Sequence, residues 1–346
     1  PEDVVQRLFA VQVQYAASLG VAVAARVKRM KPSWPDAAFN RNPTLVKTWS
    51  LRHTLHAHLV SDRPLLKALN QPRYERFMVW MRSYDMAPGQ ANYCEDKMLA
   101  ALAGGPRTRT QVHDAVPVLK SLDWTGWGAD LKGLAFRGDV VLAPSGPGAT
   151  KFALAEQWLG VMPAEEWSYE EAVDETLRRY LKAHAPATLR DFVYWTGIYA
   201  RAGAAALSQL KGEIVPVQVE GLPGTRYVLS EDADALVAQQ KVKGVRLLAK
   251  FDPLLMAHKD KQLYLSPKLH KTVFQKAGQV EASVLIDGKV TGIWRLARGS
   301  SKGVVSVQQF RKFRLRELGR LEKEAARLRR ALGLKEISLD LDAHHV

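Results

Sequence analysis

Residues 140–156 contain Val140-Val141-Leu142, then Gly146-Pro147-Gly148, then Phe152-Ala153-Leu154-Ala155-Glu156, and this stretch decides the fold. Two short apolar runs flank a turn rich in Gly and Pro, which is typical of a β-hairpin. The acidic ending is typical of a helix start. A helix that opens at Thr110 precedes the stretch. After a helix that opens at Ala187-Thr188 the same order returns, as Ile214-Val215-Pro216-Val217, Gly221-Leu222-Pro223-Gly224 and Tyr227-Val228-Leu229-Ser230-Glu231.

The ending of this repeat also occurs earlier, as His58-Leu59-Val60-Ser61-Asp62, after two alternating runs around Arg52-His53. Helices followed by a two-stranded wing, three times over, predict three tandem winged-helix modules. A duplicated structural hairpin without a role in DNA binding is the alternative, because single winged helices also mediate protein contacts. The predicted modules are residues 1–104, 105–175 and 176–243.

From Gly244 onward the apolar pattern changes to that of strands, and Asp287-Gly288 between two of them is a hairpin signal. We expect a small β-barrel-like domain over residues 244–346, closed by a basic C-terminal helix over about 314–332. The fold class is therefore α+β. The acidic tail Glu336–Val346 is expected to be mobile. The strand-like runs are Val245–Leu248, Leu263–Leu265, Val284–Ile286, Val290–Trp294 and Val304–Val307.

The bulk composition is that of an ordinary folded soluble protein, with 346 residues, 47% of them hydrophobic and 25% charged. No apolar run is long enough to span a bilayer, and no secretory signal is visible. Cys94 is the only cysteine, which excludes an intrachain disulfide and a cysteine-rich zinc site. We expect a monomeric protein of the cytoplasm, associated with the nucleoid. Because the sequence begins with Pro1 rather than Met, we expect residues of the natural protein to precede it.

The net charge of +15 is concentrated in three clusters. Residues 26–52 contain seven Lys or Arg against one acid, residues 241–276 nine against two, and residues 302–330 ten against three. Such clusters favour a polyanionic partner, and nucleic acid is the first candidate. An anionic membrane surface is the alternative. Only the segment 314–332 has the amphipathic pattern for it, so we do not expect membrane binding.

Two glutamines, Gln12 and Gln14, close the helical pattern that begins at Pro1-Glu2-Asp3. On an ideal helix, residues two apart point to nearly opposite sides. Both amides can therefore reach one target only if the helix ends or unwinds at this point. The alternative is that both are ordinary solvated glutamines, because Gln-x-Gln by itself is a weak signal.

Four motifs resemble the winged-helix DNA glycosylases of the AlkZ and YcaQ type, and the resemblance spans nearly the whole chain. The signature of that family is Gln–apolar–Gln in one branch and Gln–apolar–Asp in the other, and this chain has the first form. It departs from the family at His53, where a small residue is expected, and in the run Thr54–His58. The motifs are Val5–Gln14, Leu51–His56, Leu247–Lys261 and Val284–Arg295.

The resemblance implies that Gln12 and Gln14 are catalytic. In the segment Phe251–Lys261 we expect an apolar body and an exposed tip, His258-Lys259-Asp260-Lys261, that engages DNA beside the lesion. Asp252 is expected to hold the local backbone or a Lys or Arg partner in place. The alternative is that the segment is an ordinary hairpin of the barrel. The full set expected to bind DNA and substrate is Arg52, His53, Thr54, His56, Phe251, Asp252, His258, Lys259 and Lys261.

Other chemistries find little support in the sequence. His56 and His58 would share one face of a strand, which suits a metal, but Asp62 is the only acid nearby and we expect no metal. Neither Cys94 nor any serine lies in the context of an activated nucleophile. Gly146-Pro147-Gly148 lacks the lysine and helix of a phosphate-binding loop. No metal or organic cofactor is implied.

A glycosylase with two glutamines suits a narrow class of substrate. A base alkylated at a ring nitrogen already carries positive charge, so it leaves without a strong general acid. Two amide oxygens then need only orient a water and face the cationic sugar. We expect hydrolysis of N-alkylated purines in double-stranded DNA, including the bulky adducts or interstrand crosslinks that the resemblance implies. The alternative is a non-catalytic winged-helix transcriptional regulator.

Overall fold

The computed structural model describes residues 1–40, 42–82, 89–121, 129–143, 149–238 and 241–341. The chain forms two compact units. The first, here called the split unit, combines Pro1–Pro35 with Thr176–Val346, and the second, the central unit, is Asp36–Glu175. Both helices and strands occur in each, which confirms the α+β class.

The described residues contain helices and strands throughout, and we number them in chain order. The helices are α1 Glu2–Leu8, α2 Ser18–Ala24, α3 Trp34–Asn40, α4 Arg63–Arg82, α5 Gln90–Leu102, α6 Arg109–Ala115, α7 Ala129–Arg137, α8 Ala155–Leu159, α9 Tyr169–His184, α10 Leu189–Thr196, α11 Ala200–Gln209, α12 Ala233–Val237, α13 Pro253–Ala257, α14 His270–Val273 and α15 Leu315–Ala331. The strands are β1 Val11–Gln12, β2 Leu45–Trp49, β3 Leu55–Leu59, β4 Arg107–Thr108, β5 Val140–Ala143, β6 Lys151–Leu154, β7 Ile214–Val217, β8 Arg226–Leu229, β9 Val245–Leu248, β10 Ser283–Ile286, β11 Lys289–Arg298, β12 Lys302–Gln309 and β13 Glu336–Asp340.

Three of the predicted hairpins are confirmed. Strands β2 and β3 pair antiparallel, as do β5 and β6 and also β7 and β8, and a helical turn follows each pair. A capped helix precedes the second and third hairpins. Thr188 caps α10 as expected, whereas Thr108 rather than Thr110 caps α6, because its hydroxyl accepts the backbone N–H of Gln111. The Gly146-Pro147-Gly148 turn lies outside the described residues.

The central unit is built around one apolar core. Strand β6 pairs with both β4 and β5. Helices α5 and α7 pack against this sheet, α7 also contacts β2, and α4 packs against α5 and α7. Trp49 and Phe152 stack with ring centroids 5.9 Å apart, so the first hairpin and the second share apolar contacts. The largest buried residues of this core are Trp49, Phe77, Met78, Met81, Met98, Phe136 and Phe152.

The split unit contains a five-stranded sheet in the order β13-β12-β11-β10-β9, which curls into a half-barrel. Asp287 and Gly288 join β10 to β11 with φ of 48° and 80°, so the predicted hairpin turn is confirmed and needs the left-handed conformation that Gly tolerates. Helix α15 packs against β9 and β13, as expected for the basic C-terminal helix.

Two predictions for this unit are wrong. Leu263–Leu265 is not a strand, because the backbone N–H groups of Tyr264 and Leu265 both donate to the carbonyl of Lys261 and close a turn. Residues Glu336–Asp340 of the acidic tail form β13, which pairs in parallel with β12. The Ala- and Val-rich stretch Tyr15–Met30 also predicts one helix, but α2 covers only Ser18–Ala24. Within the described ranges, no helix combines the length and the hydropathy needed to cross a membrane.

Candidate active site

The helix ends before the two glutamines. Helix α1 stops at Leu8, Phe9 has a φ of 60°, and the chain is extended at Val11 and Gln12. A positive φ is uncommon for a bulky residue and is maintained only where surrounding contacts enforce it. The condition that both amides need, a helix that ends at this point, is therefore met.

Phe9 holds this turn through its side chain. It is fully buried, and its ring centroid lies 6.2 Å from that of Trp195. The guanidinium of Arg179 lies 5.4 Å from the centroid of the Phe9 ring. Aromatic and cation–π contacts from α9 and α10 thus stabilise the left-handed backbone conformation of Phe9.

The extended backbone changes how the glutamines relate to each other. The strand covers only Val11 and Gln12, and Gln14 lies in the bend after Val13, so the two amides are not fixed on opposite sides as they would be on an ideal helix. Val13 is buried, whereas Gln12 is 5% exposed and Gln14 is exposed. The segment therefore has one apolar anchor, one amide at the protein interior and one amide at the surface.

An aromatic and cationic wall adjoins Gln14. The ring of Tyr15 stacks on that of Phe251, with centroids 6.0 Å apart, and its hydroxyl donates to Gln279 Oε1 at 2.6 Å. Lys250 places its ammonium 5.3 Å from the Tyr15 ring centroid. Phe251, predicted from the sequence, thus lies beside the glutamine segment, and its φ of 56° marks a second strained turn.

Asp252 has the positioning role that we expected. It is fully buried, and its carboxylate accepts two hydrogen bonds from Arg26, at 2.7 and 2.9 Å. It also accepts the backbone N–H of Leu254 and so caps α13. Burial alone lowers the pKa of Arg26, but the charge and hydrogen bonds of Asp252 raise that pKa above its ordinary value. Because α13 follows at Pro253, the segment is not the barrel hairpin of the alternative interpretation.

The expected exposure of the tip is wrong for two of its residues. His258 is 4% exposed and Lys261 is 5% exposed. The Lys261 ammonium donates to the carbonyl oxygens of Leu255, at 2.7 Å, and of His258, and it lies 4.8 Å from the ring centroid of Tyr194. These contacts replace water around the charge, so both residues belong to the interior.

Lys259 is the exposed cation of this segment. Its backbone N–H donates to Asp191 Oδ1 at 2.7 Å, which fixes the main chain while the side chain stays in solvent. Asp191 is itself buried and bonded to Arg226 and to the Thr188 cap. The segment therefore presents Lys259 from a rigid support.

Two buried histidines, His258 of this segment and His184 of α9, make the stability of the fold depend on pH. Burial lowers the pKa of His184 to about 3, and also lowers that of His258. The unfolded chain takes up these protons near pH 6.5, whereas the folded chain does not. The contribution of His184 is therefore complete above about pH 6.5 and falls as the pH drops toward 3, by up to about 1.4 kcal/mol per pH unit. The contribution of His258 changes in the same direction.

The measurement is the free energy of urea unfolding between pH 7 and pH 5. We expect His184→Asn to be less stable at neutral pH but to show a shallower pH dependence, because one titrating group is gone. An identical pH dependence in both proteins would contradict the assignment.

The tip of the β2–β3 hairpin contains the remaining predicted residues. Arg52 and His53 have φ of 52° and 58°, two left-handed residues in succession without a glycine. His53 is exposed, and its ring meets that of Phe136 edge-on at 5.4 Å. Although part of the ring is exposed, desolvation of its imidazole, with the charges of Arg73 and Lys132, lowers the pKa of His53 to about 4. Thr54 donates its hydroxyl to the carbonyl of Leu51 and closes the turn.

His56 lies in a buried polar network behind this tip. Ser50 Oγ lies 3.2 Å from His56 Nδ1 and 2.8 Å from His58 Nε2. Burial lowers the pKa of His56 well below its usual value, so the ring is neutral, and its Nε2 faces Arg52 Nη2 at 3.4 Å. Over the described ranges, no three His, Cys, Asp or Glu side chains cluster as metal ligands would.

Several residues that contact the predicted ones, in either unit, were not predicted from the sequence. Arg26 lies in a basic cluster, but nothing in its surroundings marks it as the partner of Asp252. Tyr15 directly follows Gln14, and that adjacency was the available signal. Ser50 and Trp195 have no sequence signal, because each acts through residues brought close by the fold.

The chain is similar to known DNA repair enzymes over nearly its whole length. The family model described as DNA glycosylase AlkZ-like matches residues 5–331. An interstrand DNA cross-link repair glycosylase of Streptomyces sahachiroi is 28% identical over 352 residues, which is 97% of this chain and 91% of the relative. The solved structure of the DNA glycosylase AlkZ of the same organism matches with a TM-score of 0.83 and 27% identity, over 98% of this chain and 92% of that one.

These matches agree with the resemblance of the sequence motifs and do not favour a non-catalytic regulator. The fold and the match along the chain together define its activity as cleavage of the N-glycosyl bond in DNA. The chain belongs to the AlkZ-like family of DNA glycosylases.

Proposed function

We propose that this chain is a monofunctional glycosylase that hydrolyses the bond between deoxyribose and a cationic N-alkylated base, of the N7-alkylguanine type, in duplex DNA. The observation that carries the proposal is the end of α1 at the strained Phe9 turn, which places Gln12 in a short strand and Gln14 in the bend that follows it, both outside the helix. That geometry supports two amides acting on one target. In this proposal Gln12 and Gln14 are the catalytic residues.

The chemistry follows from what a neutral amide can do. Its oxygen accepts a hydrogen bond from water and faces positive charge, but it takes up no proton near neutral pH. Two such oxygens would orient the attacking water and stabilise the oxocarbenium-like sugar as the base departs. Because the alkylated base leaves as a neutral molecule, no acid is required, and the proton lost by the attacking water passes to solvent.

The carboxylates near the glutamines also support a mechanism without a general acid. Asp252 is fully buried and paired with Arg26 at 2.7 Å. Glu281 is 3% exposed and lies 3.3 Å from Lys250 and 3.5 Å from Arg295. Both carboxylates are therefore engaged by cations rather than free to approach a departing base. Uncharged bases, which need a general acid, are therefore expected to be poor substrates.

Bulky adducts and interstrand crosslinks are included in the proposed substrate range, as the name of the Streptomyces relative suggests. We further propose that residues 1–104, 105–175 and 176–243 are winged-helix modules and that 244–346 is the barrel-like domain. Arg52, His53 and Thr54 at the first hairpin tip and Lys259 in the split unit are the proposed DNA contacts. The protein would act as a monomer on DNA of the nucleoid.

The direct test is the formation of abasic sites in a duplex that contains N7-methylguanine, read as strand cleavage after alkali treatment. The wild-type chain should release the base in single-turnover conditions, and an undamaged duplex should remain intact. Tight binding without any abasic site would instead favour the transcriptional regulator.

Lys259 provides a prediction on DNA affinity. Lys259→Ala should weaken binding to undamaged duplex and reduce the slope of log affinity against log salt by about 0.9, the value for one phosphate contact. Lys261 is buried and is not expected to contribute such a contact. The measurement is fluorescence anisotropy over a salt series, with the exposed Lys211→Ala as a matched control. An equal change of slope in both variants would refute a specific contact at Lys259.

A further inference from the structure

Two basic clusters that are far apart in the sequence meet at one groove of the split unit. The groove has a volume of about 620 Å³ and lies between the segment that follows α2 and the C-terminal half of α15. The first cluster, residues 26–52, and the third, residues 302–330, both contribute to it. The cations that line the groove are Lys28, Arg29, Lys31, Arg327 and Arg330.

The charge of this groove is not balanced by acids. Lys28, Arg29, Lys31 and Arg330 have no ion pair or hydrogen bond to an acid within the described part of the chain, and no Asp or Glu lines the groove. Arg327 is the exception, because it pairs with Glu324 and donates to the carbonyl of Val27 at 3.3 Å. Burial lowers the pKa of Arg327 in spite of Glu324, with the charge of Arg330 contributing. The groove is therefore an uncompensated positive site.

The wall between these cations is apolar and rigid. Met30, Pro32 and Trp34 line it, and Trp34 Nε1 donates to Glu2 Oε1 at 2.6 Å, which fixes the plane of the indole. Pro32 packs directly on Gly333, where an added Cβ would lie 3.2 Å from the Pro32 Cβ. The groove thus combines a shaped apolar surface with a rim of exposed cations.

This combination discriminates between forms of nucleic acid. The backbone of a duplex presents phosphates to a protein while its bases stay stacked inside, so it needs cations but no apolar wall. An unpaired strand offers both a phosphate chain and exposed base faces, and proteins bind it with basic grooves that contain aromatic side chains. A volume of about 620 Å³ also suits a unit of one or two nucleotides.

We propose that this groove binds a single-stranded segment of DNA, with phosphates on Lys28, Arg29, Lys31 and Arg330 and a base against the wall of Met30, Pro32 and Trp34. The proposal concerns binding alone, so it does not depend on the excision chemistry or on the glutamine pair. In this proposal, an enzyme that binds duplex DNA also has a binding site for an unpaired strand.

The test uses the full chain and a dye-labelled oligothymidine of roughly ten nucleotides, within the usual site size of such proteins. The double variant Lys28→Ala/Arg330→Ala should bind the oligonucleotide roughly tenfold more weakly, with a salt slope lower by about 1.4, or 0.7 for each phosphate. Lys97→Ala/Lys211→Ala, two exposed lysines outside the groove and outside the three basic clusters, is the matched control and should bind as the wild type does.

A second pair of variants tests the wall. Trp34→Leu should weaken binding of the oligonucleotide roughly tenfold, the scale of one lost stacking contact, whereas Trp34→Phe should keep most of the affinity. Because Trp34 also donates a hydrogen bond to Glu2, the folding of its variants is checked by their melting temperatures. If Trp34→Leu does not fold, the Lys28→Ala/Arg330→Ala variant still tests the proposal, because neither of its residues has an acidic partner within the described part of the chain.

Three results would overturn the proposal. The first is an equal loss of oligonucleotide affinity in the groove and control double variants. The second is an equal loss for duplex and oligonucleotide in Lys28→Ala/Arg330→Ala, which would make the groove a general backbone surface. The third is competition by thymidine monophosphate as effective as that of the oligonucleotide, which would make a free nucleotide the ligand.

Discussion

Replacing either Gln12 or Gln14 with alanine is expected to slow the single-turnover excision of N7-methylguanine by about 10²-fold or more. That is the scale on which a preorganised hydrogen-bonding group in a reaction centre contributes to the rate. Affinity for the damaged duplex should change little, because the phosphate contacts that dominate binding are elsewhere. The measurement is the rate of abasic-site formation at saturating enzyme.

Gln6→Ala is the matched control for this prediction. Gln6 is an exposed glutamine of α1, and only its backbone carbonyl takes part in the turn, by accepting the N–H of Phe9. The control should therefore excise the base at the wild-type rate. Normal rates in both Gln12→Ala and Gln14→Ala would remove these residues from the catalytic role.

Asp252→Ala is expected to lower the free energy of unfolding by about 3 kcal/mol. The substitution leaves Arg26, which is 23% exposed, without its bidentate partner, and removal of one member of such a pair strands a desolvated charge. The cap of α13 is lost as well. Excision should fall with it, because Asp252 adjoins the Phe251 turn that stacks on Tyr15. The measurement is urea unfolding at neutral pH.

Asp260→Ala serves as the control because it removes the same charge from the same segment. Among the residues that the structure describes, the Asp260 carboxylate accepts hydrogen bonds only from Gln262, so its loss should cost less than about 0.5 kcal/mol. A loss of stability for Asp252→Ala no larger than that of Asp260→Ala would show that the Arg26 pair contributes nothing to the fold.

The hairpins were the most predictable part of the structure. Alternating runs such as Val140–Leu142 and the Asp287-Gly288 turn depend on neighbours in the sequence, and both have the expected form. The strand over Glu336–Asp340 was missed because it is stabilised by pairing with β12, far earlier in the chain. A strand that forms a hairpin with its sequence neighbour can be predicted from local sequence. A strand that pairs with the edge of a sheet formed elsewhere in the chain is harder to predict in this way.

The end of α1 illustrates what the sequence could only state as a condition. The glutamine motif required the helix to end, but its helical pattern gave no residue at which it should. The left-handed turn occurs at Phe9 because Trp195 and Arg179 enclose its ring. Neither contact can be inferred from the residues around Phe9, so the geometry of the pair depends on tertiary structure.

For the tip of Phe251–Lys261, the sequence predicted exposure where the fold buries part of the segment. A run of His, Lys, Asp and Lys is typical of a solvated surface, and the pattern holds for Lys259. Lys261 departs from it because carbonyl oxygens and the rings of Tyr194 and Phe274 surround its ammonium. A buried lysine of this kind has no signature in sequence, since its ligands are backbone atoms.

The most direct test of the proposed mechanism compares two bases at one position of the same duplex. Single-turnover excision is measured for N7-methylguanine, which is cationic, and for uracil, which is neutral and needs help to leave. A site with two amides, whose adjacent carboxylates are bound to cations, should excise N7-methylguanine. The release of uracil should not exceed that of a protein-free control. Release of uracil at a comparable rate, or no release of either base, would contradict the proposed mechanism.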